Sequence, residues 1–137
     1  MRIGFLVLSL IICEFLHAQD FYSLNAVRNI NIQFKTRNWD KKLDSLMNDG
    51  RGKRLPATVI LDGKTFQQVG VRYKGNSSYN NIRNQQKSKL PLNLESDDEI
   101  KNQLFAQGIS SIKLSNMFRD PSYIREVLAY WLANQLF

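Results

Sequence analysis

An alternating run of residues in the middle of the chain carries cations suited to binding an anion. Arg72 and Lys74 lie two positions apart, so on an extended strand both side chains project from the same face. The apolar residues between and before them, Val69, Val71 and Tyr73, take the opposite face. The pattern therefore predicts a half-buried strand that presents two positive charges on its polar side.

A polar turn follows this strand directly. Gly75 permits a backbone bend where a side chain would interfere, and Asn76, Ser77 and Ser78 add short hydrogen-bonding groups and peptide N–H donors. Cations next to such a turn are suited to a phosphate group. We therefore predict that the phosphate-binding residues are Arg72, Lys74, Ser77, Ser78 and Lys89.

Two further motifs lie downstream in a fixed order. They are Lys89–Leu94, with the sequence KLPLNL, and Lys113–Glu126, with the sequence KLSNMFRDPSYIRE. Together with the segment that ends in Ser78, they resemble the amino-terminal part of the CotH kinase family. That family is named for a spore-coat protein and has an atypical protein-kinase fold. The resemblance covers roughly Ile30 to the last residue.

The resemblance implies an activity and its cofactors. The family transfers the γ-phosphate of ATP, with Mg²⁺, to serine or threonine hydroxyls of exported or cell-surface proteins. Its catalytic and metal-binding aspartates come from a carboxyl-terminal lobe. We therefore expect no catalytic residue and no metal ligand in this chain, which reads as the leader and amino-terminal lobe portion of a longer kinase, inactive alone.

Kinases also position a strand lysine with a glutamate on a neighbouring helix. Either Lys74 or Lys89, with Glu126 on the last predicted helix, is a candidate for that pair. Arg125 and Asp120 match the family pattern Asp-Pro-Ser-x-x-Arg-Glu, and a structural reading, with Asp120 as helix cap and Arg125 as its partner, stays open beside a direct role. Asn116 is placed to bridge the last strand and this cap.

The first residues have the features of an export signal. Residues 1–18 contain one early positive charge, Arg2, then an apolar run, and they end in the small residue Ala18. We expect cleavage near Ala18, export to the periplasm, cell surface or exterior, and no stable membrane span afterwards. Cys13 and His17, the sole cysteine and histidine, would leave with the leader, which argues against thiol, zinc or Ser-His-Asp chemistry in residues 19–137.

The charge balance indicates an anionic partner. The 19 Lys and Arg residues exceed the 12 Asp and Glu residues, for a formal net charge of +7. Because one residue of each sign, Arg2 and Glu14, lies in the leader, cleavage leaves the balance unchanged. The cations are scattered without an aromatic platform, so we expect no nucleic-acid partner.

Periodicity predicts an α+β fold, a mostly antiparallel sheet flanked by two helices. The predicted strands are 30–34, 56–61, 65–74, 90–94 and 112–115, with a tight turn at 62–64. The helices are 38–47 and a long one with Pro121 at its first position and Asp120 as cap. Residues 79–87 read as a loop, acidic 95–99 as the first turn of a helix over 100–105, and Pro91 as a mark of an edge strand or bulge.

Two other functional classes remain open. One is a secreted binding module that holds a phosphorylated or polysaccharide ligand by charge alone, and the other is a structural coat or envelope component. The final helix meets no glycine, proline or polar tail before Phe137, which favours a truncated kinase portion over both.

Overall fold

The structure is a computed structural model, and it describes residues 21–23, 26–85, 89–106 and 108–136. The predicted signal peptide, with Cys13 and His17, lies outside these residues. The strands are β1 (Ile30–Phe34), β2 (Leu55–Leu61), β3 (Lys64–Tyr73), β4 (Leu92–Glu95) and β5 (Ser111–Leu114). The helices are α1 (Trp39–Asp49), α2 (Ser77–Asn84) and α3 (Arg125–Leu136).

The five strands form one antiparallel sheet in the order β1-β2-β3-β4-β5. Each strand pairs with the next in sequence, so the sheet is a meander with α1, α2 and the longer loops inserted between strands. The predicted α+β class and antiparallel sheet are confirmed. The prediction of two helices is wrong in number, because α2 is a third.

One face of the sheet carries the core, as the alternation predicts. Val69, Val71 and Tyr73 of β3 are all buried, and Leu43 of α1 is fully buried against this face. Phe34 stacks on Trp39 at the start of α1, with ring centroids 4.9 Å apart. The sheet thus buries its apolar face under α1.

The β2–β3 turn is tied to the chain before β1. Asp62 and Gly63 have positive φ angles of 48° and 84°, a conformation that glycine and aspartate tolerate. The Asp62 carboxylate accepts hydrogen bonds from Arg28 Nη1 at 3.1 Å and from the Asn29 amide at 2.7 Å. The segment before β1 therefore holds this turn in place through two hydrogen bonds.

Two predictions between β3 and β5 are wrong. The polar segment predicted as a loop forms α2, because Tyr79 is buried and anchors an otherwise polar helix. The helix predicted after the acidic segment is absent from the described residues 96–105, in which 96–99 and 101–102 form turns. There the Asp97 carboxylate accepts the Asn102 amide, and Asn102 adopts a φ of 60°, which is incompatible with an α-helix.

The prediction that Pro91 marks an edge strand or a bulge is also wrong. It precedes β4, which lies between β3 and β5 and is therefore an interior strand. Its carbonyl still accepts the Lys74 amide at 3.0 Å, so the proline adds an acceptor to the ladder without having to donate.

The last helix begins later than predicted. Pro121 lies in a turn, Tyr123 has a φ of 60°, and α3 starts at Arg125. The side chains of Leu128 and Trp131 are exposed in this structure, as is the opposite side of the helix at Tyr130. Among the described residues, no helix is both long and apolar enough to cross a bilayer.

Candidate functional site

A polar cavity of about 620 Å³ lies where the start of α2, the loop after β5 and the start of α3 meet. It is lined by Asn76, Ser77, Ser78, Ser115, Asn116, Met117, Phe118, Arg119, Asp120, Arg125 and Glu126. Six of the nine site residues predicted from sequence line it: Ser77, Ser78, Asn116, Asp120, Arg125 and Glu126. The two later motifs and the serine turn are therefore neighbours in space.

The wall from α2 is suited to an anion. Gly75 has a φ of 71°, which turns the chain from β3 into the helix, so the predicted glycine bend is confirmed. Ser77 and Ser78 open α2, whose first turn has no acidic residue, and the Asn76 side chain makes no capping hydrogen bond. First-turn amides without a capping side chain, together with two hydroxyls, attract negative charge.

Asn116 holds this wall to the rest of the site. Its side chain is 8% exposed, and its Nδ2 donates to the carbonyl oxygens of Ser78 and Lys89, each at 3.2 Å. Its Oδ1 accepts the Phe118 amide at 3.3 Å. All three bonds fix backbone positions, so Asn116 bridges α2, the lead into β4 and the cavity loop, a wider role than the predicted bridge from strand to cap.

The Asp120 carboxylate accepts hydrogen bonds from the loop and helix start that form the opposite wall. It accepts the Ser122 hydroxyl at 2.5 Å and the amides of Ser122 and Arg125 at 3.0 and 2.9 Å. The Ser122 hydroxyl bond is the main cause that lowers the pKa of this carboxyl, with the Arg125 amide adding to it. Asp120 thus caps α3 across a five-residue span, which accounts for the later helix start.

Arg125 and Glu126 bring opposite charges to the cavity at the start of α3. Arg125 Nε lies 3.6 Å from Asp120 Oδ1, and its side chain is 69% exposed. Its Nη1 donates to the Arg119 carbonyl at 3.4 Å. These exposed contacts are weak, so the guanidinium is free to turn towards an anion at low cost. Glu126 is exposed and also lines the cavity.

The three predicted cations, Arg72, Lys74 and Lys89, are absent from the described lining of this cavity. Lys89 Nζ lies 4.8 Å from the ring centroid of Tyr123, in a cation–π contact next to the cap loop. The Lys74 side chain is half-buried at the end of β3. The structure therefore does not gather all the predicted phosphate ligands in one pocket.

Arg72 belongs instead to the polar face of the sheet. Its Nε donates to Asn93 Oδ1 at 3.4 Å, and the register aligns Arg72, Asn93 and Lys113 across three adjacent strands. Arg54 lies close by, since its Nη1 is 3.5 Å from the Asn93 carbonyl, and burial and then the charge of Arg72 lower its pKa. Glu95 lies 3.7 Å from Arg54 and partly balances this cationic row.

Sequence reasoning missed one cation of the cavity and one of the polar sheet face. Arg119 lines the cavity, and it directly precedes Asp120 in the motif that was read only for its acid, its arginine and its glutamate. Lys113 is exposed on β5 in line with Arg72. It alternates with the apolar residues Ile112 and Leu114, the same pattern that places Arg72 and Lys74 on a polar strand face. Both were visible in the sequence.

The donors of the cavity suit a phosphate chain better than a metal ion. Two arginines, three serines and helix amides complement negative oxygens. Of its two carboxylates, Asp120 is engaged by backbone amides, which leaves Glu126 as the available oxygen ligand. Within the described parts of the chain, no group of three or more His, Cys, Asp or Glu side chains is placed to hold a metal ion.

Comparison with known proteins identifies the segment that builds this site. Residues 71–136 match the family model described as CotH kinase protein. The matched segment runs from the end of β3 through α3 and contains every residue that lines the cavity. No curated protein and no solved structure matches the chain.

Proposed function

We propose that the chain is the nucleotide-binding portion of an exported CotH-type protein kinase, because residues 71–136 match the CotH kinase family model. The whole kinase transfers the γ-phosphate of ATP to serine or threonine hydroxyls of exported or cell-surface proteins. This chain supplies phosphate contacts, and a carboxyl-terminal lobe supplies the aspartates that hold Mg²⁺ and orient the attacking hydroxyl.

The observation that carries the proposal is the composition of the cavity. All of its lining residues fall within the family segment, and they bring together hydroxyls, helix amides and the guanidinium groups of Arg119 and Arg125. A second hollow differs in this respect, since its lining residues, apart from Leu92, lie in 30–39 and outside the matched segment.

Each group has a distinct part in this proposal. The α2 amides and the hydroxyls of Ser77 and Ser78 donate hydrogen bonds to phosphate oxygens, while Arg119 and Arg125 neutralise their charge. Glu126 orients a cation of the site, either an arginine here or the strand lysine, Lys74 or Lys89. Bound Mg²⁺ would neutralise phosphate charge further, and among the cavity carboxylates only Glu126 is available to approach it.

The exposed α3 supports the need for a second lobe. Side chains on all sides of this helix are large and apolar, including Leu128, Tyr130 and Trp131, and all three are exposed. A helix that is apolar all round is stable in water when other protein covers it. A carboxyl-terminal lobe that packs on α3 would also close the cavity that the start of α3 lines.

Calorimetry on the whole chain tests the nucleotide assignment. We expect ATP with Mg²⁺ to bind more tightly than tripolyphosphate at equal charge, because a nucleotide site also contacts the base and sugar. Arg119→Met should weaken ATP binding about tenfold, which corresponds to one charge-assisted contact of roughly 1.4 kcal/mol. Arg51→Met is the matched control, since Arg51 is 69% exposed, pairs with Asp49 and does not line the cavity.

The alternative is a secreted module that binds an anionic ligand by charge alone. The net charge of +7 and the aligned Arg72 and Lys113 on the polar sheet face favour it. Such a module would bind ATP and tripolyphosphate equally and lose both as salt rises. It would also be weakened by Arg72→Met and Lys113→Met more than by Arg119→Met. That combination of results would replace the kinase proposal.

A further inference from the structure

A network of charged and phenolic side chains joins α2 to α1. Its arginine lies in the last turn of α2, away from the serines that begin this helix. Arg83, in the last turn of α2, places Nη2 2.7 Å from Asp40 Oδ1 and 2.6 Å from Asp44 Oδ1. Its Nη1 donates to Asp40 Oδ2 at 3.3 Å. Asp40 and Asp44 are one helical turn apart on α1, so a single guanidinium spans both carboxylates.

Two tyrosines close this network, which we name the Arg83 clasp: Asp40, Asp44, Tyr73, Tyr79 and Arg83. The Tyr73 hydroxyl donates to Asp40, and the Tyr79 hydroxyl donates to Asp44 Oδ1 at 2.6 Å. The Arg83 guanidinium lies 5.5 Å from the Tyr73 ring centroid and 5.9 Å from that of Tyr79. The carboxylates therefore accept from three donor side chains that come from β3 and α2.

The clasp moves the pKa of Asp40 and the pKa of Tyr73 in opposite directions. The Arg83 hydrogen bond is the largest cause that lowers the pKa of Asp40, and burial opposes it. Burial first, and then the bond to Asp40, raises the pKa of Tyr73 above its ordinary value. Burial and the bond to Asp44 likewise raise the pKa of Tyr79. The Asp40 carboxylate thus stays charged and both phenols stay protonated at neutral pH, which keeps their hydrogen bonds intact.

Little else positions α2. It has eight residues, of which only Tyr79 is buried, and its composition is mostly serine and asparagine. A helix this short and polar is not stable alone in water. Its first residues line the cavity, and its last turn holds Arg83, about 9 Å further along the helix at 1.5 Å per residue.

From this arrangement we infer that Arg83 is a positioning residue: the clasp fixes α2 against α1 and thereby holds the Ser77–Ser78 wall of the cavity in place. That the wall binds phosphate rests on the proposed function. That the clasp holds the wall rests on the contacts of Arg83 alone. Asn116 secures the same wall independently, through its hydrogen bond to the Ser78 carbonyl.

Hydrogen exchange in the whole chain tests the positioning directly. In Arg83→Met, we expect the amides of 80–84 to exchange at least tenfold faster than in the wild type, while those of 58–61 in β2 change less than threefold. Arg51→Met is the matched control, because it breaks an exposed pair at the far end of α1 and should leave α2 unchanged. Arg83→Lys, which keeps the charge but not the fork, should give an intermediate rate.

A second, more conservative variant keeps the test valid if Arg83→Met does not fold. Tyr79→Phe keeps the buried ring and removes only the hydroxyl that bonds Asp44, and it should speed α2 exchange by about threefold. If Arg83→Met unfolds the chain, Tyr79→Phe decides the question. Wild-type exchange of α2 in the folded variants would overturn the inference.

ATP titration separates this inference from the proposed function. We expect Arg83→Met to weaken ATP binding at least fivefold although Arg83 does not line the cavity, with Arg51→Met unaffected. Faster α2 exchange with unchanged ATP affinity would overturn the positioning role. If the wild type binds no ATP, the proposed function fails, and the exchange rates of the 80–84 amides still decide whether the clasp fixes α2.

Discussion

The turn at Gly75 allows a prediction whose size follows from the coordinates. Gly75 has a φ of 71°, and a Cβ added there would lie 2.5 Å from Ser78 Oγ but 3.9 Å from Ser78 Cβ. Gly50, at the end of α1, has nearly the same φ, 67°, and nothing lies within 4 Å of its added Cβ. Gly50→Ala therefore measures the backbone cost alone, and Gly75→Ala measures that cost plus a contact.

The expected magnitudes differ for this reason. A left-handed conformation costs an L-residue about 1–2 kcal/mol, so Gly50→Ala should lower the free energy of unfolding by roughly that amount. In Gly75→Ala the Ser78 hydroxyl must also leave its rotamer, which adds about 0.5–1.5 kcal/mol. Removing that hydroxyl with Ser78→Ala should abolish the added cost and return the Gly75→Ala penalty to the Gly50→Ala value.

Urea denaturation of the four chains in the Gly75/Ser78 cycle gives the coupling energy between the two positions. We expect a coupling of about 0.5–1.5 kcal/mol. A Gly75→Ala penalty equal to that of Gly50→Ala in both Ser78 backgrounds would show that the contact does not exist. A penalty near zero at both glycines would refute the left-handed geometry itself.

Three further results are expected. Asn116→Ala should lower the free energy of unfolding by about 2–3 kcal/mol in denaturant, since three hydrogen bonds are lost, and a change below 0.5 kcal/mol would contradict their role. Leu94→Ala, at a fully buried site, should cost about 2–5 kcal/mol, whereas Leu136→Ala, 73% exposed, should cost under about 0.5 kcal/mol, and equal costs would contradict the assigned core. Because the pKa of Asp40 is lowered, its contribution to stability is complete above its unfolded value, about 3.9, and is lost as pH falls through the folded pKa; acid titration of unfolding should show this loss, and Arg83→Met should flatten it.

The sequence predicted the strands well because their signal is local. Alternation with a period of two residues identified β1 to β5 and placed Val69, Val71 and Tyr73 on the core face. The helices that depend on distant contacts were harder to predict. The sequence of α2 favours a loop, and only its contacts with α1 and β3, through Tyr79 and Arg83, make it a helix.

The same limit applies to the candidate site. Alternation says which face of a strand Arg72 occupies, but it does not say which other elements lie over that face. The motif from Lys113 to Glu126 correctly gathered Asn116, Asp120, Arg125 and Glu126, because these residues lie within one short loop and helix start. Lys89 was separated from them by local geometry, since its ammonium packs on the Tyr123 ring and not in the cavity.

The segment that matches the family does not contain everything that shapes its own cavity. Residues 71–136 supply the lining, but α1 lies outside that match and provides Asp40 and Asp44, the acceptors of the Arg83 clasp. The matched segment begins with the last residues of β3. This strand also pairs along its length with β2, which lies outside the matched segment. The Ser77–Ser78 wall is thus fixed by two sets of contacts, by Asn116 within the matched segment and by α1 before it. Because both sets act on α2, weakening either one should disturb the same serine-bearing wall.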